Sequence, residues 1–186
     1  MNMKQVVKLT ALGALVASAG TFAANGQMST TSSAATAQVR GVIPSMVRIT
    51  GLGDASDQLD LGTYDPAAPA DMVAADTFCV YRNGGGAGTY AIEIEGDGGT
   101  TATTDFLIDN GAVDMAYTVA YNMDSTAALV AYPTPGTSLP SQTANSHPVC
   151  ASGITAEIEV RVAQATADAA AAGTYTGDLT VTVTVE

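Results

Sequence analysis

The segment that most constrains this fold is the run Leu179-Thr180-Val181-Thr182-Val183-Thr184-Val185, which follows a turn-like stretch from Gly173 to Asp178. Its period is strictly two, so Leu179, Val181, Val183 and Val185 form one apolar face and the three threonines form the other. A strand this regular at a sheet edge is a template for further pairing unless something covers it. The sequence closes one residue later at Glu186, so the partner is expected to come from elsewhere. A second alternating segment near the beginning offers one. Ala35, Ala37, Val39, Gly41 and Ile43 share one face, opposite Thr36, Gln38, Arg40 and Val42. Pro44 has no N–H to give a ladder and marks a break before Met46–Thr50 resumes as a strand. Together these features predict a subunit that completes its sheet with another chain.

The first residues read as an export leader. Met1 to Lys8 is a short basic region, Leu9 to Ala19 is apolar, and Thr21-Phe22-Ala23-Ala24 offers small residues for cleavage after Ala23. That pattern is a secretory signal peptide over residues 1–23, and its apolar run is too short for a comfortable membrane span. The rest, about 160 residues, has the length of one domain with a full core.

Export shapes the reading of charge and cysteine. Loss of Lys4 and Lys8 takes the formal net charge from −12 to −14, leaving Arg40, Arg48, Arg82 and Arg161 as the cations. So acidic a chain is a poor partner for nucleic acid or anionic membrane. The absence of tryptophan weakens a sugar-binding reading. Cys79 and Cys150 are the two cysteines, and an even pair in an exported chain reads as a disulfide. Formed within one chain, it closes a loop of about 70 residues and contributes roughly 4 kcal/mol in the chain-entropy picture.

Between the two ends run short alternating segments punctuated by turn residues: Gln58–Tyr64, Met72–Arg82, Thr89–Glu95, Phe106–Ile108, Met115–Asn122, Leu129–Tyr132 and Ile154–Val162. Pro133–Pro148 reads as a long loop, Asn83–Gly88 as a hairpin turn, and Ala163–Ala172 as a helical turn or loop. Eight to ten strands at such spacing predict an all-β sandwich.

Residue types that carry chemistry are scarce. His147 is the sole histidine, in a Ser-His-Pro loop. No Gly-x-Ser-x-Gly, His-Glu-x-x-His or phosphate-loop motif occurs, so the chain is read as no enzyme, with no cofactor. Asp54, Asp57 and Asp60, and separately Asp105, Asp109 and Asp114, have oxygen ligands suited to calcium, but neither group has the spacing of a helical-hand loop, and solvated acidic loops are the favoured reading.

Several stretches carry a family resemblance. Leu59-Asp60-Leu61-Gly62-Thr63-Tyr64-Asp65-Pro66, the segment Asn110–Asn122, Cys150, and Ala172-Gly173-Thr174-Tyr175-Thr176-Gly177-Asp178-Leu179-Thr180-Val181-Thr182-Val183 resemble, in order and spacing, motifs of the spore coat protein U-like family, which includes subunits of archaic chaperone–usher pili. The resemblance implies an incomplete immunoglobulin-like sandwich lacking its last strand, completed by a donor strand from a neighbouring subunit. It implies a signal peptide (1–23), an N-terminal extension or donor strand (24–44) and a pilin domain (45–186). The donor face is expected at Ala35, Ala37, Val39, Gly41 and Ile43, with Gln27–Ala35 as a weaker candidate. The acceptor groove is expected at Met46, Val47, Ile49, Leu179, Val181, Val183 and Val185. The implied partners are copies of the chain itself, a periplasmic chaperone and an outer-membrane usher. The implied place is an extracellular filament serving adhesion or biofilm formation. The family often pairs a cysteine of the first strand with one of the second. Met46 stands at the first of those places here and Cys79 at the second, so Cys79 either pairs with Cys150 or stays free. A tip adhesin and a self-complemented secreted sandwich are the competing readings.

Overall fold

The computed structural model describes residues 31–53, 59–83, 88–101, 103–124, 126–151 and 155–186. The expected leader, the start of the weaker donor candidate, Asp54, Asp57 and most of the glycine turn at 84–87 lie outside the described residues. The chain divides into two units between Ile43 and Pro44.

In the first unit, residues 31–43 are exposed and contain neither helix nor strand. The alternation at 35–43 therefore does not by itself make a strand. An extended segment becomes one only when its N–H and C=O groups find a ladder partner.

Among its described residues the second unit contains ten strands, one short α-helix and a 3-10 turn at Gly99–Thr101: β1 (Val47–Thr50), β2 (Met72–Arg82), β3 (Thr89–Gly96), β4 (Leu107–Asp109), β5 (Asp114–Ala116), β6 (Thr118–Asn122), β7 (Val130–Ala131), β8 (Leu139–Thr143), β9 (Ala156–Val162), α1 (Gln164–Ala169) and β10 (Leu179–Val185). One sheet has the order β1-β2-β9-β6-β7, a second has β10-β3-β8, and β4 and β5 pair as a ribbon. Every ladder is antiparallel. The result is an all-β, immunoglobulin-like sandwich.

Its core follows from period-two patterning. Tyr90, Ile92 and Ile94 of β3 face Val119 and Tyr121 of β6, Ala156, Ile158, Val160 and Val162 of β9, and Phe78 and Val80 of β2 in one buried cluster. The outward positions of β9 carry Glu157, Glu159 and Arg161, and Arg161 pairs with Glu159 and Asp71. Each inward aliphatic side chain so buried contributes about 1.5–3 kcal/mol.

Three expectations are corrected. Leu59–Tyr64 is not a strand. The Asp60 carboxylate accepts the Gly62 N–H at 2.8 Å, and Gly62 has φ +76°, a turn conformation that breaks extension. Met115–Asn122 is two strands rather than one, because the Tyr117 N–H donates to Phe106 C=O at 3.0 Å and the chain switches partners there. Its faces are as the alternation predicts, with Met115, Tyr117, Val119 and Tyr121 buried. The loop expected at Pro133–Pro148 contains β8. Pro140 hid that strand, but an edge position tolerates a missing N–H, and the β3–β8 ladder shifts register between Tyr90 and Ile92.

Candidate functional site: the opening between β1 and β10

β10 pairs with β3 from Leu179 opposite Gly96 to Val185 opposite Tyr90. On the outward face Thr180 lies across from Glu95 and Thr182 from Glu93. Among the described residues β10 has no other ladder partner, and β1 has none but β2. These two edges belong to different sheets and come within 8 Å of each other, Cα to Cα, without pairing. A strand seated between two others in one sheet sets them about 9.6 Å apart, twice the strand spacing. Any strand entering here has to part the edges.

The expected acceptor residues line these edges. Val47 and Ile49 of β1 and Leu179, Val181 and Val183 of β10 pack against the core while remaining partly exposed. Val185 is half-buried, and Met46, just before β1, is 52% exposed. The expected donor residues are elsewhere in character. Ala35, Ala37, Val39, Gly41 and Ile43 are all exposed, Val39 at 94% and Ile43 at 87%, and a Cβ at Gly41 would meet nothing within 4 Å.

One end of the opening is fastened by Arg82. This residue lies opposite Val47 at the end of β2, and its guanidinium donates to the backbone oxygens of Thr89 and Glu186, tying the first sheet to β3 and to the end of β10. Gly88 makes this path possible, since a Cβ there would come within 2.7 Å of the Arg82 Cδ. The next residue, Asn83, holds the chain that leads into β1. Its Oδ1 accepts the Met46 N–H at 2.5 Å, its Nδ2 donates to Pro44 C=O at 2.6 Å, and its own N–H donates to Met46 C=O at 3.1 Å. Sequence reasoning missed both residues. The only available signal was a polar pair at the end of a predicted strand.

Cys79 and Cys150 form a disulfide with Cα atoms 5.9 Å apart. Cys79 lies opposite Thr50 of β1, so the bond staples the loop before β9 behind the β1 edge. Below the opening, the buried Tyr90 and Tyr121 hydroxyls bond each other at 2.6 Å. Burial raises both phenol pKa values, and burial with the nearby Asp97 charge pushes Tyr117 up to about 12.

The acidic turns have local duties. Asp105 accepts the Thr103 hydroxyl at 2.8 Å, Asp109 the Gly111 N–H at 2.7 Å, and Asp114 the Thr100 N–H and hydroxyl at 2.8 and 2.9 Å. Among the described residues no cluster of three metal-ligating side chains occurs. His147 is exposed in its loop. The chemistry this arrangement offers is recognition of a backbone and alternating apolar side chains.

The sequence matches no family model and no curated protein. Among solved structures, the fold is similar to a chain from a study of a chaperone–tip adhesin complex described as vital for synergistic activation of CFA/I fimbriae biogenesis, with a TM-score of 0.53 and 16% identity. The match covers 75% of this chain and 42% of that one, so this chain spans less than half the length of its structural neighbour. At that identity the similarity is one of fold.

Proposed function

We propose that this chain is a structural subunit of an extracellular pilus or fimbria that polymerises by donor-strand exchange. The observation that carries this reading is the half-buried apolar face of β10, set beside β1, each with a single ladder partner among the described residues. An incoming strand of about ten residues spans roughly 33 Å, pairs its backbone with both edges and buries its alternate side chains. The exposed segment with Ala35, Ala37, Val39, Gly41 and Ile43 supplies that pattern to the next copy. The contact is head-to-tail and does not close, so it propagates as a filament. On this reading residues 1–23 are a cleaved leader, residues 24–44 are the donor extension, and residues 45–186 are the acceptor domain of the spore coat protein U-like type. A periplasmic chaperone covers the opening before an outer-membrane usher passes the subunit to the surface, where the filament serves adhesion or biofilm formation.

The test uses the chain from Ala24 onwards and the same protein deleted through Gly41. Filaments in negative stain and ladders that survive SDS until boiling are expected from the first and not from the second. A cooperative monomer from the longer chain, with no ladder after refolding at high concentration, would replace this reading with a self-complemented secreted sandwich. A tip adhesin is the second reading, favoured by the origin of the structural neighbour. It predicts that the protein caps a growing filament without extending it.

A further inference from the structure

We infer that Asn83 is a positioning residue that holds the segment Pro44–Met46 along β2 and so favours exchange between chains over folding of the extension into its own groove. The inference rests on the strand-donation reading above. It starts from the three hydrogen bonds between Asn83 and the segment Pro44–Met46, which engage Oδ1, Nδ2 and the main-chain N–H of Asn83. The β1–β2 register puts Val47 opposite Arg82, so Met46 falls opposite Asn83, and these bonds continue the ladder on the β2 side of β1. Among the described residues β1 has β2 as its sole ladder partner, so its opposite edge is the one left without a ladder.

The consequence follows from backbone geometry. In extended chain the N–H and C=O of one residue point to the same side, and residues two apart share that side. Met46 N–H and C=O and Pro44 C=O are all turned toward Asn83. A hairpin through residues 44–46 that laid 35–43 against the other edge of β1 needs a tight turn, with those same groups turned inward to close it. The bonds to Asn83 have to break before the extension can fold back. Pro44 adds to this by fixing its own φ, and by holding Ile43 in the extended region. Arg82, fastened to Thr89 and Glu186, keeps the end of β2 in place beneath the clamp.

The experiment compares three forms of the chain from Ala24: unaltered, Asn83→Ala and Asn83→Asp. Each is refolded from denaturant at one concentration and resolved into monomer and SDS-stable multimer. Hydrogen exchange across β10 is then measured on the monomer fraction. Asn83→Ala is expected to raise the ratio of monomer to multimer about fivefold, a size that two exposed hydrogen bonds support. Its monomer is expected to gain exchange protection at Thr180–Val185, the signature of a groove filled from within, which a general loss of stability would lower instead. Asn83→Asp keeps the acceptor for Met46 N–H, loses the donor to Pro44, and is expected to fall between the two. If Asn83→Ala does not fold, Asn83→Asp carries the comparison alone with the same two readouts. Multimers from the unaltered chain with an unchanged ratio and unchanged β10 protection in the variants would overturn the role of Asn83 and leave strand donation standing. No multimers from the unaltered chain would overturn both.

Discussion

β9 and β10 are nearly the same strand on paper and different strands in the molecule. Each has seven residues in strict alternation, with β-branched or aliphatic side chains on one face and polar ones on the other. β9 lies between β2 and β6, and Ala156, Ile158, Val160 and Val162 are at most 5% exposed. Among the described residues β10 has one neighbour, and Leu179, Val181, Val183 and Val185 are only partly covered. Alternation fixes which face a side chain takes. How deeply that face is buried depends on how many strands flank it and on what lies across the sandwich. The difference marks where the core is closed and where it is still partly open to solvent.

The largest test of this contrast is truncation in β9. Ile158→Ala is expected to cost about 2–5 kcal/mol in urea unfolding of the unpolymerised domain, since the cavity lies in a closed core. Next comes Tyr121→Phe, which leaves the buried Tyr90 hydroxyl without its partner. A loss of about 1–3 kcal/mol is expected from the same unfolding curves. Val183→Ala in β10 should cost only about 1 kcal/mol in the unoccupied domain, because the side chain is already partly solvated. Its cost should rise when a peptide of residues 33–45 fills the opening, as read from the shift in melting temperature on peptide addition. Equal costs for Ile158→Ala and Val183→Ala in the unoccupied domain would erase the distinction between the strands.

The smallest effect concerns pH, on the closed side of the molecule. The Gln164 N–H and then the Arg161 guanidinium hold the Asp71 carboxyl below the usual carboxylate range. A folded-state pKa below the unfolded one contributes stability that is fully present above about pH 4 and is lost as pH falls through the lowered value. The stability difference between the protein and its Asp71→Asn variant should therefore be small at neutral pH and vanish toward pH 2. Paired thermal melts across that range would check it. Because the carboxylate is solvent-exposed, a large difference would mean that Asp71 does more than close this turn.

Much of the sandwich was legible from pattern alone. The faces of β3, β6, β9 and β10 follow from alternation over five or more residues, and the core is built from those faces. Pattern failed where one local group overrode it. The Asp60–Gly62 turn broke a short apolar alternation, Pro140 concealed an edge strand, and Tyr117 changed its ladder partner in mid-run. The edges that form the candidate site were legible as strands, but the proximity of β1 to β10 is a property of topology, with more than a hundred residues between them in sequence. Arg82 and Asn83 were invisible for a related reason. Their roles arise from backbone atoms of distant residues, and no spacing rule connects them.

The staple between Cys79 and Cys150 also has a mechanical meaning. In a filament held by donated strands, pulling force enters each domain at Pro44, where the extension joins β1. The four residues of β1 would meet that load first, and their ladder to β2 would bear it in shear, several backbone bonds at once rather than one after another. Cys79 stands opposite Thr50, at the far end of that ladder. The covalent bond to Cys150 carries load onward from β2 to the chain that leads into β9, the centre of the sheet. Strain on the fibre would thus be passed from its most peripheral strand to its best-buried one, and an oxidised subunit should stretch less before yielding than a reduced one.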